Sequence, residues 1–310
     1  MSASPLIQIG SSRHSTDGLS WQERLARLEA QLATFESVVV AYSGGVDSSL
    51  VLRVAHHVLG ERARGVIGRS DSYAKRELEL ALAQAAVFGA TVEIVSTGEL
   101  ADPNFRSNPA NRCYHCKTEL YRELTLVAER VGASAILDGT IADDIADWRP
   151  GRLAAEEKHV RSPLAELGFT KEDVRAAAAH LGLTSFDKPA SPCLASRIPY
   201  GTEITRENLS QVERGEELMR LLGFAINRVR HFGDTARVEV PVADLARLME
   251  PATRERAASG LKEIGYRFVT VDLEGFRSGN LNRLIDPAAM AGPGQIVPLA
   301  GLPTQKQGRG

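Results

Sequence analysis

Hydrophobic positions fall into two alternating rhythms as far as about residue 200. Val38-Val39-Val40-Ala41-Tyr42 is a β-branched run too short for a helix and closed by Ser43-Gly44-Gly45. Such a run predicts a buried strand. Before it, Leu25, Leu28 and Leu32 recur at helical spacing within residues 21–35. After it, Leu50, Val54 and Val58 mark one face of a helix over residues 47–59, with Gly60 as its stop. The alternation repeats as a strand over 65–68, a helix over 74–88, a strand over 91–95, a helix over 116–131 and a strand over 135–137. Residues 142–159 read as irregular, and Thr170-Lys171-Glu172-Asp173 resembles a capping box that opens a helix to about His180. Strands alternating with helices imply parallel pairing, so the predicted fold class is α/β, a doubly wound parallel sheet.

The rhythm changes after Tyr200. Residues 207–222 form an acidic helical stretch, 228–231 alternate apolar and basic, and 236–240 suit a hairpin partner. Helical sequence over 242–264 leads to a last strand over 267–273. This α+β pattern predicts a smaller second domain. The expected division is a loose tail at 1–20, the parallel-sheet domain at 21–200, the α+β domain at 201–287 and a second tail at 288–310. A length of 310 residues agrees with roughly two domains.

Composition narrows the function classes. Hydrophobic residues at 43% and charged ones at 25% are the balance of a soluble globular chain and exclude a disordered polymer. Lys plus Arg number 37 against 39 Asp plus Glu, so the basic excess usual on a phosphate backbone is absent and a nucleic-acid partner gains no support. No apolar run approaches the roughly 18 residues of a membrane span, and the first twenty residues lack the apolar segment of a signal peptide. Three cysteines cannot form a disulfide framework. The expected compartment is the cytoplasm, where thiols stay reduced.

The first candidate site is Ser43-Gly44-Gly45-Val46-Asp47-Ser48-Ser49, between the first strand and its helix. Two glycines allow a tight turn, and Ser48, Ser49 and exposed N–H groups face an anion at the positive end of the helix. The loop lacks the ending of a Walker A motif and is no dinucleotide fingerprint. The whole string resembles the SGGxDS loop of the PP-loop ATP pyrophosphatase superfamily. The resemblance implies that ATP is cleaved between its α and β phosphates and AMP is passed to an acceptor oxygen. Ser43, Gly44, Gly45, Ser48 and Ser49 would then hold the phosphates, and Asp47 would hold Mg²⁺ near the pyrophosphate. The adenine would lie over neighbouring strand ends, where Ser70, Gly139 and Thr140 stand; ligands in such sheets do bind at the carboxyl ends of strands. Asp143 and Asp144 are either further metal ligands or a solvated acidic turn.

The second candidate is a set of thiols. Cys113 and Cys116 sit in Arg112-Cys-Tyr-His-Cys-Lys117 at or just before a helix start, and Cys193 follows far downstream in Lys188-Pro-Ala-Ser-Pro-Cys-Leu-Ala-Ser-Arg197. A helix N-terminus and flanking basic side chains are expected to lower the thiol pKa. Three cysteines fall short of the four ligands of structural zinc. As ligands of an iron–sulfur cluster they would leave one iron open; buried inert cysteines are the plain alternative.

These two strings, the latter continuing through Ile-Pro-Tyr-Gly201, together with the phosphate loop resemble the LarE family over about residues 21–286. That family consists of ATP-dependent sulfur transferases that help make the nickel-pincer nucleotide cofactor of lactate racemase. The resemblance implies that a carboxylate of a pyridinium dicarboxylate mononucleotide attacks the α-phosphate of ATP. A sulfur nucleophile then displaces AMP and leaves a thioacid. Some members hold only the cysteine matching Cys193 and consume its sulfur. Others resemble this chain in having three, which carry a [4Fe–4S] cluster with a transferable sulfide, and this version is expected here. Arg197 would stabilise the adenylate or a developing oxyanion. Arg228 and Arg230, on one strand face by period two, and Arg237 on the adjoining strand would take the substrate phosphate, the alternative being a solvated basic face. Glu213, Glu216 and Glu217 are expected mainly at the surface. Family likeness further implies a homo-oligomer and partners among the other proteins of nickel-pincer cofactor synthesis. The competing readings are a PP-loop tRNA thiolase, an amide synthetase related to NAD synthetase, and a non-catalytic nucleotide-binding sensor.

Overall fold

Strand β1 (Val38–Ala41) forms the centre of the first sheet in the computed structural model, which describes residues 18–145 and 150–277. It pairs in parallel with β2 (Ala63–Arg69) on one side and β4 (Ala135–Leu137) on the other, and β3 (Val92–Ser96) extends the sheet beyond β2 in the order β3-β2-β1-β4. Val38 faces Ala63 and Ala135 in register. Alternate side chains of β1 leave on opposite faces. Val38, Val40 and Tyr42 join one core with the helices Trp21–Leu32, Val46–Leu59, Lys75–Val87 and Lys171–His180. Val39 joins another with Val66, Ile136 and the helices Arg112–Val131 and Gly151–Glu157. Helices on both faces explain why the central strands read as continuous apolar runs.

The second sheet runs β5-β6-β7, where β5 (Arg228–Phe232) is antiparallel to β6 (Thr235–Glu239) and β7 (Phe268–Val271) is parallel to β6. Val229, Ala236 and Val238 pack with Met219 of the helix Arg206–Leu221 and Leu261 of the helix Pro251–Ile264. A fourth apolar cluster joins Phe105 to Leu194, Ile198, Ile204, Leu209 and Val212. Its members come from the segment between β3 and β4 and from residues 194–212, and it fixes where the turn after Cys193 lies.

Three expectations are corrected. Residues 142–159 are not irregular throughout: they carry the helices Ala142–Ile145 and Gly151–Glu157, with 146–149 outside the described residues. The cysteine-bearing helix begins at Arg112, so Cys113 and Cys116 lie in its first two turns. The stretch 242–264 is broken into Val242–Asp244, Leu245–Leu248 and Pro251–Ile264, because proline opens a helix but cannot donate within one. Of the expected tails at 1–20 and 288–310, residues 1–17 and 288–310 lie outside the described residues, and Ser20 caps the first helix. Among the described residues no helix is long and apolar enough to cross a membrane.

Candidate active site

The phosphate loop leaves β1 and enters the helix Val46–Leu59 through two glycines of different kinds. Gly44 takes φ +66°, and a Cβ there would stand 2.5 Å from that of Ala81, so the position tolerates only glycine. Gly45 caps the helix without a side-chain hydrogen bond, leaving N–H groups unspent at its start. The Ser43 N–H donates to Ser48 Oγ at 3.1 Å, and the two hydroxyls stand 3.1 Å apart. Tyr73 OH donates to the Ser43 carbonyl at 2.9 Å. Ser49 departs from the expected phosphate contact: it is wholly buried, and its hydroxyl accepts from the Gln84 amide.

Gly139 and Thr140 do not line the cleft beside this loop. A Cβ on Gly139 would meet Ser48 N at 2.6 Å, so this glycine lets the end of β4 close against the loop backbone. Thr140 turns inward, giving its N–H and hydroxyl to buried Asp138 at 3.0 and 2.9 Å. Asp143 accepts from Lys171 N–H and Asp144 from Ile141 N–H, which ties both acidic side chains to backbone. Asp47 is gripped through both oxygens by Lys171 Nζ, at 2.6 and 2.7 Å. Sequence reading missed Lys171 as a site residue, although it stands inside the recognised capping box.

A cleft of about 650 Å³ runs from this loop past Ser70, Cys116 and Cys193 to Arg228 and Arg230. It is walled by Ser43, Gly45 and Asp47 at one end. Ser70 and Ser72 share a hydrogen bond at 3.0 Å, and the Ser72 hydroxyl donates to the Glu99 carboxylate at 3.0 Å. Glu99 is buried beside the thiols and was likewise not foreseen.

The thiol locus is assembled from distant segments. Asn108 is wholly buried with φ +54°. Its amide donates to the carbonyls of Ile198 and Pro199 at 3.3 and 2.8 Å, and its Oδ1 accepts from Arg112 at 2.6 Å. The Arg112 guanidinium lies 4.9 Å from the centre of the Tyr200 ring. The Leu194 N–H donates to the Ser72 carbonyl at 2.8 Å. The turn after Cys193 is thereby sewn to the first turn of the helix bearing Cys113 and Cys116. Cys113 is exposed at the rim, while Cys116 and Cys193 are half-buried.

The thiol pKa values move opposite to the expectation. Burial pushes Cys116 well above the usual thiol range, and the Glu99 carboxylate and the other two thiols push the same way. At Cys113 the surrounding protein withdraws bulk water and raises the pKa despite its exposed surface; Cys193 adds to this, and Arg112 and Lys117 only oppose it. Desolvation outweighs the helix start and its basic flanks. Cys193 adds to the upward shift of both other thiols, so the three lie near one another. Among the described residues no group of three or more His, Cys, Asp or Glu side chains is gathered as for a single metal ion.

Arg197 does not line this cleft. It is buried, pairs with Glu216 at 2.8 and 3.0 Å, and donates to the Pro192 and Cys193 carbonyls. Its place is behind the Cys193 turn, as a positioning residue. Glu216 is therefore no surface residue, whereas Glu217 pairs with Arg220 and Glu213 accepts from Lys75 N–H.

The three basic residues of the second sheet separate. Register sets Arg230 opposite Arg237. Arg230 reaches the cleft but pairs with buried Glu239 at 2.8 Å. Arg237 is held by Glu239 and Asp272 and does not line the cleft. Arg228 reaches the cleft with its donors on the Asn227 and Ala190 carbonyls and its guanidinium over the Phe276 ring. Burial, then Arg197, lowers its pKa to about 10, so it stays cationic at neutral pH.

Comparison with known proteins agrees with this geometry. The family model described as NAD synthase matches residues 21–109, the segment that carries the phosphate loop. A protein of Lactiplantibacillus plantarum, pyridinium-3,5-bisthiocarboxylic acid mononucleotide synthase, is 40% identical over 267 residues, which cover 86% of this chain and 96% of that one. An uncharacterised protein of Synechocystis sp. is 43% identical over 264 residues, covering 85% and 98%. An argininosuccinate synthase of Picosynechococcus sp. matches 51% of this chain at 31% identity. With the phosphate loop on a parallel sheet, the thiols in the same cleft and a relative of this identity along nearly its whole length, the chain belongs to the LarE family, that of pyridinium-3,5-bisthiocarboxylic acid mononucleotide synthase.

Proposed function

We propose that this chain is an ATP-dependent sulfurtransferase that converts a carboxylate of a pyridinium dicarboxylate mononucleotide into a thiocarboxylate for nickel-pincer cofactor synthesis. The observation that carries the reading is the single cleft with the phosphate loop at one end, Cys116 and Cys193 along its wall, and Arg228 at the other end. A carboxylate oxygen is a poor leaving group, so activation comes first. The substrate carboxylate forms an O–P bond to the α-phosphorus as the bond to pyrophosphate breaks. Ser43, Ser48 and the N–H groups at the helix start hold the departing phosphates. Sulfur then bonds to the acyl carbon as the C–O bond to AMP breaks, and the thioacid sheds its proton. Arg228 takes the substrate's phosphate with Arg230 beside it, and Ser70 borders the adenine.

Asp47 would hold Mg²⁺, with Lys171 released from it. Cys113, Cys116 and Cys193 would hold a [4Fe–4S] cluster, which when bound supplies a transferable sulfide at an iron without a protein thiolate. The donor set supports this: three thiols influence one another, Arg112 and Lys117 stand by to balance thiolate charge, and a cubane spaces its thiolates more widely than a single ion does. The reading includes a division of the chain near residue 200, a homo-oligomer in the cytoplasm and partners among the other nickel-pincer synthesis proteins.

The test pairs two measurements. Pyrophosphate release should be stimulated by a carboxylated pyridinium mononucleotide and not by tRNA; the reverse would favour a tRNA thiolase. Anaerobically purified wild type should hold iron and acid-labile sulfide in a near one-to-one ratio that collapses in Cys193→Ala. Little iron after reconstitution would make Cys193 itself the consumed sulfur donor.

A further inference from the structure

Cys193 is reached from two sides. Besides the nucleotide cleft it lines a second cavity of about 390 Å³, bordered by Leu80, Ala225 and Ile226, which the cleft does not touch. Residues 188–193 form the continuous part of the wall common to both, and Tyr73, Glu77, Arg228 and Phe276 border both as well. That wall is pinned at three points. Lys188 pairs with Glu77 at 2.7 Å, the Ala190 carbonyl accepts from Arg228 at 3.0 Å, and Leu194 N–H donates to Ser72 at 2.8 Å. A segment so fixed divides two spaces instead of swinging as a lid.

The geometry points to the second cavity as an entrance for a small sulfur anion, hydrosulfide, to the thiol locus while the nucleotides fill the main cleft. The inference rests on the proposed sulfurtransferase reading, which requires sulfur to reach Cys193 and its neighbours. Through the main cleft, sulfur would have to pass bound ATP and a nucleotide substrate. Of the phosphate loop only Gly44 borders the second cavity, so sulfur arriving there reaches Cys193 without crossing Ser43, Gly45 and Asp47. Five basic side chains, Arg76 among them, line this space against four acidic ones, an excess of one positive charge that favours an anion, and a hydrosulfide ion is far smaller than the cavity. Leu80 and Ile226 are 42% and 39% exposed, so its mouth opens at the surface. Only binding and passage are inferred; no bond is made or broken on the way.

The experiment uses the full chain with Cys113→Ser and Cys116→Ser, leaving Cys193 as its only thiol. The cleft is filled with α,β-methylene-ATP, Mg²⁺ and nicotinic acid mononucleotide, saturation being verified by calorimetry, and Cys193 is labelled with iodoacetamide. Labelling of the filled protein is expected to stay within about threefold of the empty protein. Adding Ala225→Trp, or separately Leu80→Trp, should slow labelling of the filled protein by about tenfold or more while changing the empty protein little. Both substitutions sit at exposed or half-exposed positions outside the cleft, and unchanged calorimetric affinities confirm that it is intact. Protection of Cys193 by the nucleotides alone, or labelling indifferent to both tryptophans, would overturn the second entrance. Failure of the nucleotides to bind at all would instead overturn the proposed function.

Discussion

The two ends of the cleft are built in opposite ways. The phosphate end is one continuous segment: Ser43 to Ser48 supply the turn, the hydroxyls and the helix start within a few residues of β1. The thiol end exists only because Asn108, Arg112, Ser72 and Arg197 tie the Cys193 turn to a helix far from it in sequence. A local site is fixed by backbone conformation and helix geometry, so a substitution there changes chemistry with little effect on shape. An assembled site depends on buried hydrogen bonds between segments, so the same loss of function can arise from moving a residue that touches no substrate.

The largest effect that separates the two ends is expected at Cys193. Cys193→Ser should reduce thiocarboxylate formation by more than about a thousandfold while ATP–pyrophosphate exchange with the carboxylated nucleotide stays within about twofold. Loss of both together would show that the ends are one functional unit. Next is Asp47→Asn, expected to slow pyrophosphate release by about a hundredfold and to leave iron content unchanged. At the seam, Asn108→Ala removes three hydrogen bonds and should cost about 3 kcal/mol in denaturant unfolding, whereas Asn108→Gly loses the same bonds but fits the positive φ and should cost about 1 kcal/mol less. Arg228→Met should raise the substrate KM by about tenfold, whereas Arg237→Met, whose charge is spent on Glu239 and Asp272, should change it by less than about twofold. The smallest effect concerns pH. A raised thiol pKa means that the neutral form persists at neutral pH and that alkylation of Cys116 climbs only as the medium becomes alkaline. Glu99→Gln removes a neighbouring negative charge, so it should lower that pKa and raise Cys116 labelling at pH 8 by about threefold.

Most of the fold was legible because its signals are local. The run at Val38–Ala41, the capping box at Thr170 and the hairpin of β5 and β6 each follow from neighbouring residues. The break at Pro251 was not legible, because helical periodicity on both sides concealed it. Less of the site could be read. The phosphate loop and the three cysteines stand out as strings, but nothing in the string shows that Ser49 turns into the core, that Thr140 serves Asp138 or that Arg197 faces Glu216. Lys171 stands in a helix-capping string and Glu99 in no motif, and both became visible as site residues only through Asp47 and Cys116.

The sequence by itself determined the parallel sheet, the anion-binding turn after its first strand, and the family to which the chain belongs. These depend on periodicity, glycine and helix start, all of which act over a few residues. Only the tertiary structure decided the electrostatics. Arg228, Arg230 and Arg237 look equivalent along two strands, yet one faces the cleft from backbone carbonyls and two are tied to buried Glu239. Cys116 stands at a helix start that should favour its thiolate, yet its thiol pKa is raised. Desolvation and charge depend on what surrounds an atom in space, and for these groups the decisive neighbours come from other segments of the chain.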